Sequence, residues 1–261
     1  MSDTAFSPNT HAGDTDETES LALVFPGQGS QAPGMGRLIH DHSDAARLTY
    51  EEASDITGID IAKVCFESDA DTLATTQNTQ PAVLTTSVAM FRAMREKVTE
   101  VREQVAPRLM GGHSLGLFSA AVASGALSFR DSLLIIMERS RLMGSFNDER
   151  PVGMAAILGL DVATVRELCE DATEGQLSRV DVANHNEDVQ TVISGDVSAL
   201  ERAMARAKEL QGKAIRLKLK VSSHTPLHAG QADEFAEIIR EVPFANPELP
   251  IVSNMTSELL R

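Results

Sequence analysis

The 261-residue chain contains no tryptophan, one tyrosine, and only 4% aromatic residues in all. So few rings leave little on which nucleobases could stack, which argues against a nucleic-acid binder. Basic residues are scarce too: 23 Lys and Arg stand against 38 Asp and Glu, a formal net charge of −15. That balance opposes general attraction to nucleic acid or to anionic membrane. Only Cys65 and Cys169 occur, far apart and without metal-ligand spacing, which suits a reducing cytoplasm. No apolar run approaches a membrane span, and no basic-then-apolar signal peptide opens the chain.

What is present is an ordinary globular composition, 42% hydrophobic and 23% charged, at a length for one large domain or one large and one small. Residues 1–20 carry Asp3, Asp14, Asp16, Glu17 and Glu19 without Lys or Arg, and read as a disordered acidic tail. Order is expected from Leu21–Phe25, a short buried strand that runs into the tight loop Pro26–Gln31. Helical spacing covers 40–54 and 82–98, with a short helix or turn at 59–66 between them. A strand at 108–112 precedes a helix at 115–125, and another helix follows from Phe129 to about Phe146. This alternation predicts a parallel sheet with crossover helices. From Gly153 the order becomes strand 154–158, helix 162–172, strands 179–183 and 189–194, helix 199–210 and strand 214–221. That β-α-β-β-α-β series is the ferredoxin-like arrangement. The fold class is therefore α/β, a hydrolase-like parallel-sheet core (21–150 and 222–261) with an inserted ferredoxin-like α+β subdomain (151–221). Helix 228–241 and strand 250–253 resume the core.

The chemistry centres on Met110-Gly111-Gly112-His113-Ser114-Leu115-Gly116. Gly112-x-Ser114-x-Gly116 between a strand and a helix is the nucleophile-elbow pattern. Glycines on either side permit a turn too tight for larger residues, and the following helix aims its N–H groups at a developing oxyanion. Ser114 then needs a base. His11, His40 and His42 lie in polar surroundings, and His113 adjoins the serine on a turn whose residues point different ways. His224, in Val221-Ser222-Ser223-His224-Thr225-Pro226 just past the small domain, is the better placed. His224 and His228 also have a His-x-x-x-His spacing, but Pro226 breaks the helix and no third ligand is evident. Gly27-x-Gly29-x-x-Ala32 could be a dinucleotide fingerprint, although Pro33 and Gly34 fall where its helix should begin.

Phe25-Pro26-Gly27-Gln28-Gly29-Ser30-Gln31, Gln80-Pro81, Gly112-His113-Ser114-Leu115-Gly116, Glu138-Arg139 and Ser223-His224 stand in the order seen in malonyl-CoA:acyl carrier protein transacylases. The chain resembles that family from about Leu21 onward. The resemblance implies Ser114 as nucleophile, His224 as general base, and the backbone N–H groups of Gln28 and Leu115 as oxyanion hole. It implies Arg139 as partner of the malonyl carboxylate; the sequence alone does not separate Arg139 from Arg141, two charges on one apolar helix. Asn184 and Asn186, at the turn between two small-domain strands, match polar positions that face the cleft, and Gln80 matches a position near the acyl pocket or supporting the Gln28 loop. Malonyl-CoA is implied as substrate and acyl carrier protein as acceptor, with no bound cofactor, no metal, no nucleic acid or membrane partner, and a cytoplasmic monomer that supplies fatty acid biosynthesis. Arg216, Lys218 and Lys220 alternate with apolar residues before His224; this stripe reads equally as a CoA or carrier docking face and as a solvated strand face.

Similar enzymes continue past the position of Arg261, supplying a glutamine that orients the histidine and a Gly-Pro-Gly-containing end. This chain reads as a C-terminally truncated relative. A serine acyl hydrolase and a non-catalytic truncated acyltransferase therefore stand beside the transacylase as alternatives.

Overall fold

The chain builds two sheets, each with its own helices, and the candidate residues gather where the two meet. The computed structural model describes residues 21–101, 107–217 and 221–261. The tail at 1–20 and the cations Lys218 and Lys220 lie outside the described residues.

In chain order the elements are β1 (Leu21–Phe25), α1 (Arg37–His42), α2 (Asp44–Thr57), α3 (Ile61–Glu67), α4 (Ala70–Leu73), α5 (Thr76–Val101), β2 (Pro107–Gly112), α6 (Gly116–Ala123) and α7 (Phe129–Glu149). Then come β3 (Val152–Leu158), α8 (Val162–Ala172), β4 (Val180–Glu187), β5 (Gln190–Asp196), α9 (Val197–Glu209) and β6 (Lys213–Arg216). A 3-10 turn (Pro226–His228), α10 (Ala229–Arg240), β7 (Ile251–Val252) and β8 (Leu259–Leu260) follow.

The first sheet has the order β1-β2-β7-β8. β1 and β2 run parallel with Phe25 opposite Gly112, β2 and β7 run parallel, and β8 returns antiparallel. Parallel neighbours end at the same edge, so the loops after β1 and β2 emerge side by side; in open α/β sheets that edge is where ligands bind. Helices α2, α3, α5 and α7 surround a core that includes Tyr50, Ile61, Leu84, Leu133 and Ile136, with Leu115 reaching in from the turn after β2. The second sheet has the order β4-β5-β3-β6, every neighbour antiparallel, which is the ferredoxin-like arrangement. Helices α8 and α9 bury Val165, Leu168, Leu200 and Ala203 against its Ala155, Ile157 and Ile193. Val221 packs on Met154 and Val192, so the chain leaves this sheet pinned to it. Among the described residues no helix is long and apolar enough to cross a membrane.

Several expected elements differ in extent. The helix expected over 40–54 is two, because Ser43 adopts an extended backbone (φ −139°) and caps α2 by accepting the Ala46 N–H at 3.1 Å. The helix expected from Ala82 begins at Thr76 and contains Pro81. Thr79 to Ala89 are all buried, and that packing outweighs the backbone bond the proline cannot donate. The strand expected over 214–221 pairs only to Arg216, with one further bond from the Leu217 N–H to the Met154 carbonyl. The strand expected to end at Ala183 runs to Glu187. Register shifts at 182–184 and 185–187 let the polar stretch keep pairing with β5, so Asn184 and Asn186 lie on β4 rather than in a turn.

Ser43 also donates to Glu96 on α5, whose other oxygen accepts the Ala45 N–H at 3.2 Å. Ser43→Ala removes the cap and this tie together. It should cost about 1–2 kcal/mol, read as a lower urea midpoint at unchanged m-value; an unmoved midpoint would refute the role.

Candidate active site

Two residues of the site hold backbone conformations that side chains disfavour. Ser114 has φ 53° and His224 φ 56°, and they are two of the four non-glycine residues with positive φ among the described ones. Each costs on the order of 1–2 kcal/mol. Their side chains meet: the Ser114 hydroxyl lies 2.8 Å from Nε2 of His224, across 110 residues of sequence.

The serine's position follows from the end of β2. The turn brings Gly112 so close to Gly116 that a Cβ on Gly112 would collide with the backbone of Gly116 and Leu117. Ser114 is thereby lifted off the sheet at the head of α6. Unlike α2, α3, α7 and α8, whose starts are capped by Ser43, Asp60, Ser128 and Asp161, α6 has no side-chain cap. The Gly116 and Leu117 N–H groups turn back onto the His113 and Ser114 carbonyls at 2.9 and 3.0 Å. Among the described residues the Leu115 N–H has no acceptor, nor has that of Gln28. The Gln28 loop is held by Ser30, whose N–H and hydroxyl both bond the Gly27 carbonyl. It packs on the elbow so tightly that a Cβ at Gly27 would strike the His113 carbonyl. This loop turns through Gly36 before the short α1 and opens no phosphate-binding helix.

His224 comes from the segment joining the second sheet to the 3-10 turn, and that segment is anchored on every side. The Ser222 N–H donates to Oδ1 of Asn147 on α7 at 3.2 Å, and the Ser223 N–H to Oγ of Ser194 on β5 at 3.0 Å. The Thr225 hydroxyl donates to Asp181 on β4 at 2.7 Å, and Arg179 holds that carboxylate by two nitrogens. These anchors maintain the unfavourable backbone at His224. Desolvation, then the Arg139 cation, then His113 and His228 lower the His224 pKa to about 4. The imidazole is therefore neutral at pH 7 and free to take the serine proton. Among the described residues no acceptor meets its Nδ1.

Arg139, on α7, lines a cavity of about 150 Å³ with Met143, His224, His228, Gln231 and Phe235. It donates to Oε1 of the buried Gln80 at 2.5 Å and, among the described residues, has no carboxylate partner. Burial lowers its pKa to about 10, so it stays cationic at neutral pH. Arg141, two residues further along the same helix and so on its other face, is exposed and paired with Glu138 and Glu234. The structure thus separates the two arginines that the sequence left equivalent: only Arg139 is a charge awaiting an anion. A larger, mainly apolar cavity of about 580 Å³ between β1 and α5 carries no charged side chain and does not reach Ser114.

The remaining candidates divide. Asn186 comes within 3.3 Å of Nε2 of His113, joining β4 to the elbow, whereas among the described residues the Asn184 side chain makes no hydrogen bond. Arg216 is exposed on the edge strand β6. His224 and His228 do not face a common point: their Nε2 atoms address Ser114 and Ser222. Among the described residues no cluster of three or more His, Cys, Asp or Glu is placed to hold a metal. Asn147, Asp181 and Ser194, which hold the histidine's segment, carried no sequence signal, because only folding brings them to it.

The lowered His224 pKa sets a pH profile. The active form is the neutral one, so activity is lost only as pH falls through the depressed value. With the uncharged probe p-nitrophenyl acetate, kcat/KM for Ser114 acylation should hold below pH 6.5, the usual histidine range of about 6.5 notwithstanding. Arg139→Ala should move the acid limb part of the way back up. An acid limb at the ordinary value in the unmodified protein would refute this account.

The acyl transferase domain model matches residues 22–259. The chain is similar to the malonyl CoA-acyl carrier protein transacylase of Bacillus subtilis (strain 168), with 36% identity over 245 residues, 92% of this chain and 74% of that protein. Its fold is similar to the malonyl CoA-acyl carrier protein transacylase from Coxiella burnetii, at TM-score 0.83 and 36% identity, covering 90% of this chain and 72% of that one. It is also similar to a malonyl-transacylase solved in complex with its type II PKS acyl-carrier protein, at TM-score 0.86 and 34% identity, covering 93% and 76%. With a family model matched over nearly its whole described length and relatives of this identity, the chain belongs to the acyl transferase domain family.

Proposed function

We propose that this protein transfers the malonyl group of malonyl-CoA to the phosphopantetheine thiol of acyl carrier protein through a malonyl-serine intermediate. The observation that carries the substrate class is Arg139, a cation without a carboxylate partner among the described residues, in the cavity beside His224. A dicarboxylic acyl group would bring that partner by a bidentate, charge-assisted pair; an acetyl group would leave the arginine unmet. The named relatives support malonyl-CoA as donor and acyl carrier protein as acceptor.

In the first half-reaction the Ser114 hydroxyl passes its proton to Nε2 of His224 while Oγ attacks the thioester carbonyl. The oxyanion of the tetrahedral intermediate accepts the N–H groups of Gln28 and Leu115. Collapse breaks the C–S bond, and the CoA sulfur leaves with the proton held by His224. The carrier thiol then gives its proton to His224, attacks the malonyl-serine carbonyl, and releases Ser114 reprotonated. Gln80 holds the Arg139 guanidinium in place between turnovers. Every step uses side chains and backbone N–H groups of the chain, with no bound cofactor. The two free, buried cysteines suit the reducing cytoplasm. We assign the product to chain extension in fatty acid or polyketide synthesis, and the working form to a monomer.

Incubation with labelled malonyl-CoA should give a malonyl adduct on Ser114 that acyl carrier protein discharges, and Ser114→Ala should give none. Rapid free malonate in place of transfer would mark a hydrolase, and no adduct on a folded protein would mark a non-catalytic chain. Arg139→Ala should lower kcat/KM for malonyl-CoA by about 10- to 100-fold, the scale of a charged hydrogen-bonded pair, with little loss for acetyl-CoA. Equal losses for both donors would refute the assigned role.

A further inference from the structure

His228 has no part in the steps above, yet its side chain is tied to the segment that carries His224. Its Nε2 lies 2.7 Å from Oγ of the fully buried Ser222, two residues before His224. Its own N–H bonds the Thr225 carbonyl at 3.1 Å. The ring is fixed from behind by Phe146 of α7, with centroids 4.3 Å apart and planes at 52°. Ser222 is held in turn by Asn147 on the same helix. The seven residues from Ser222 to His228 therefore form a loop closed at its base by one side-chain hydrogen bond. His224, at φ 56°, is near its middle.

We propose that His228 is a positioning residue, whose bond to Ser222 closes the loop and holds His224 at hydrogen-bond distance from Ser114. A strained backbone persists only where its surroundings over-determine it. The outward anchors to Asn147, Ser194 and Asp181 fix where the loop sits. Only the Ser222–His228 bond joins its two ends by their side chains. Opening it lets the loop relax toward an ordinary φ and swings Nε2 away from the serine. A displacement of about 1 Å in such a group costs on the order of 100-fold in rate.

The inference rests on the malonyl-Ser114 reading, so the test begins by measuring single-turnover acylation of the unmodified protein by malonyl-CoA. Absence of acylation there overturns that reading and this inference with it. Given acylation, His228→Ala should slow it by about tenfold or more, with KM changed less than about twofold. His228→Gln places its terminal amide where Nε2 stood and should recover most of the rate; His228→Asn places its amide where Nδ1 stood and should not. Ser222→Ala should slow acylation to the same degree, and the double variant should be no slower than either single. Thermal unfolding of each variant separates this from loss of the fold; if His228→Ala does not fold, the Gln variant and Ser222→Ala carry the comparison. An unmoved rate in folded His228→Ala, a loss confined to KM, failure of Gln to outperform Asn, or additive effects with Ser222→Ala each overturn the proposal.

Discussion

The bond between Ser114 and His224 is short in space and long in sequence, and the two sheets are arranged around it. Neither residue can reach the other from a relaxed backbone. Ser114 is pushed up by a turn that only glycine at 112 permits, and His224 is bent into the same left-handed region by a loop anchored on two sheet strands and a helix. Together the two conformations store a few kcal/mol. That is affordable because neighbouring structure is well packed: Leu115 is fully buried beside the serine, and Ser222 is fully buried beside the histidine.

The electrostatics follow one logic. Helices α2, α3, α4, α7 and α8 spend a serine or aspartate on their free N–H groups, but α6, like α1, α9 and α10, does not. Among the described residues the N–H groups of Leu115 and Gln28 have no acceptor, and in the proposed reaction they would meet the oxygen that becomes negative. Among the described residues Arg139 has no acid partner in its small cavity, a costly state that a bound carboxylate would relieve. The same charge helps to keep His224 unprotonated. In the proposed reaction one guanidinium would thereby favour an anionic substrate and a competent base together.

The second sheet reads from this side as a support for catalysis rather than as an appendage. Ser194 and Asp181 belong to β5 and β4, and both hold the loop of His224, while Asn186 of β4 reaches His113 on the elbow. Arg179 fixes Asp181, and Arg150 at the end of the connection from α7 pairs with Asp196 at the far end of β5. A shift of this sheet relative to the first would be felt directly at Nε2 of His224.

The local rules were largely legible without coordinates. Alternating apolar runs marked the strands, glycines around Ser114 marked the elbow, and the motif order marked the family. Where expectation and structure part, tertiary contacts decide. Ser43 separates two helices with an extended backbone, held there by its cap on α2 and by its hydrogen bond to Glu96, 53 residues away in sequence. Pro81 sits inside α5 because the surrounding core buries it. Periodicity could not distinguish Arg139 from Arg141, since the helix is apolar nearly all round and neither face is marked as the solvent one; only the position of Glu138, Glu234 and Gln80 around that helix pairs Arg141 and leaves Arg139 without a carboxylate among the described residues. The sequence by itself determined the tight turn that lifts Ser114 and the helix that follows it, because those depend on residues a few positions apart. The neutral, aimed histidine and the arginine without a carboxylate partner among the described residues were decided by tertiary structure, because desolvation and the anchoring hydrogen bonds depend on neighbours that the chain brings in from 29 to 110 residues away.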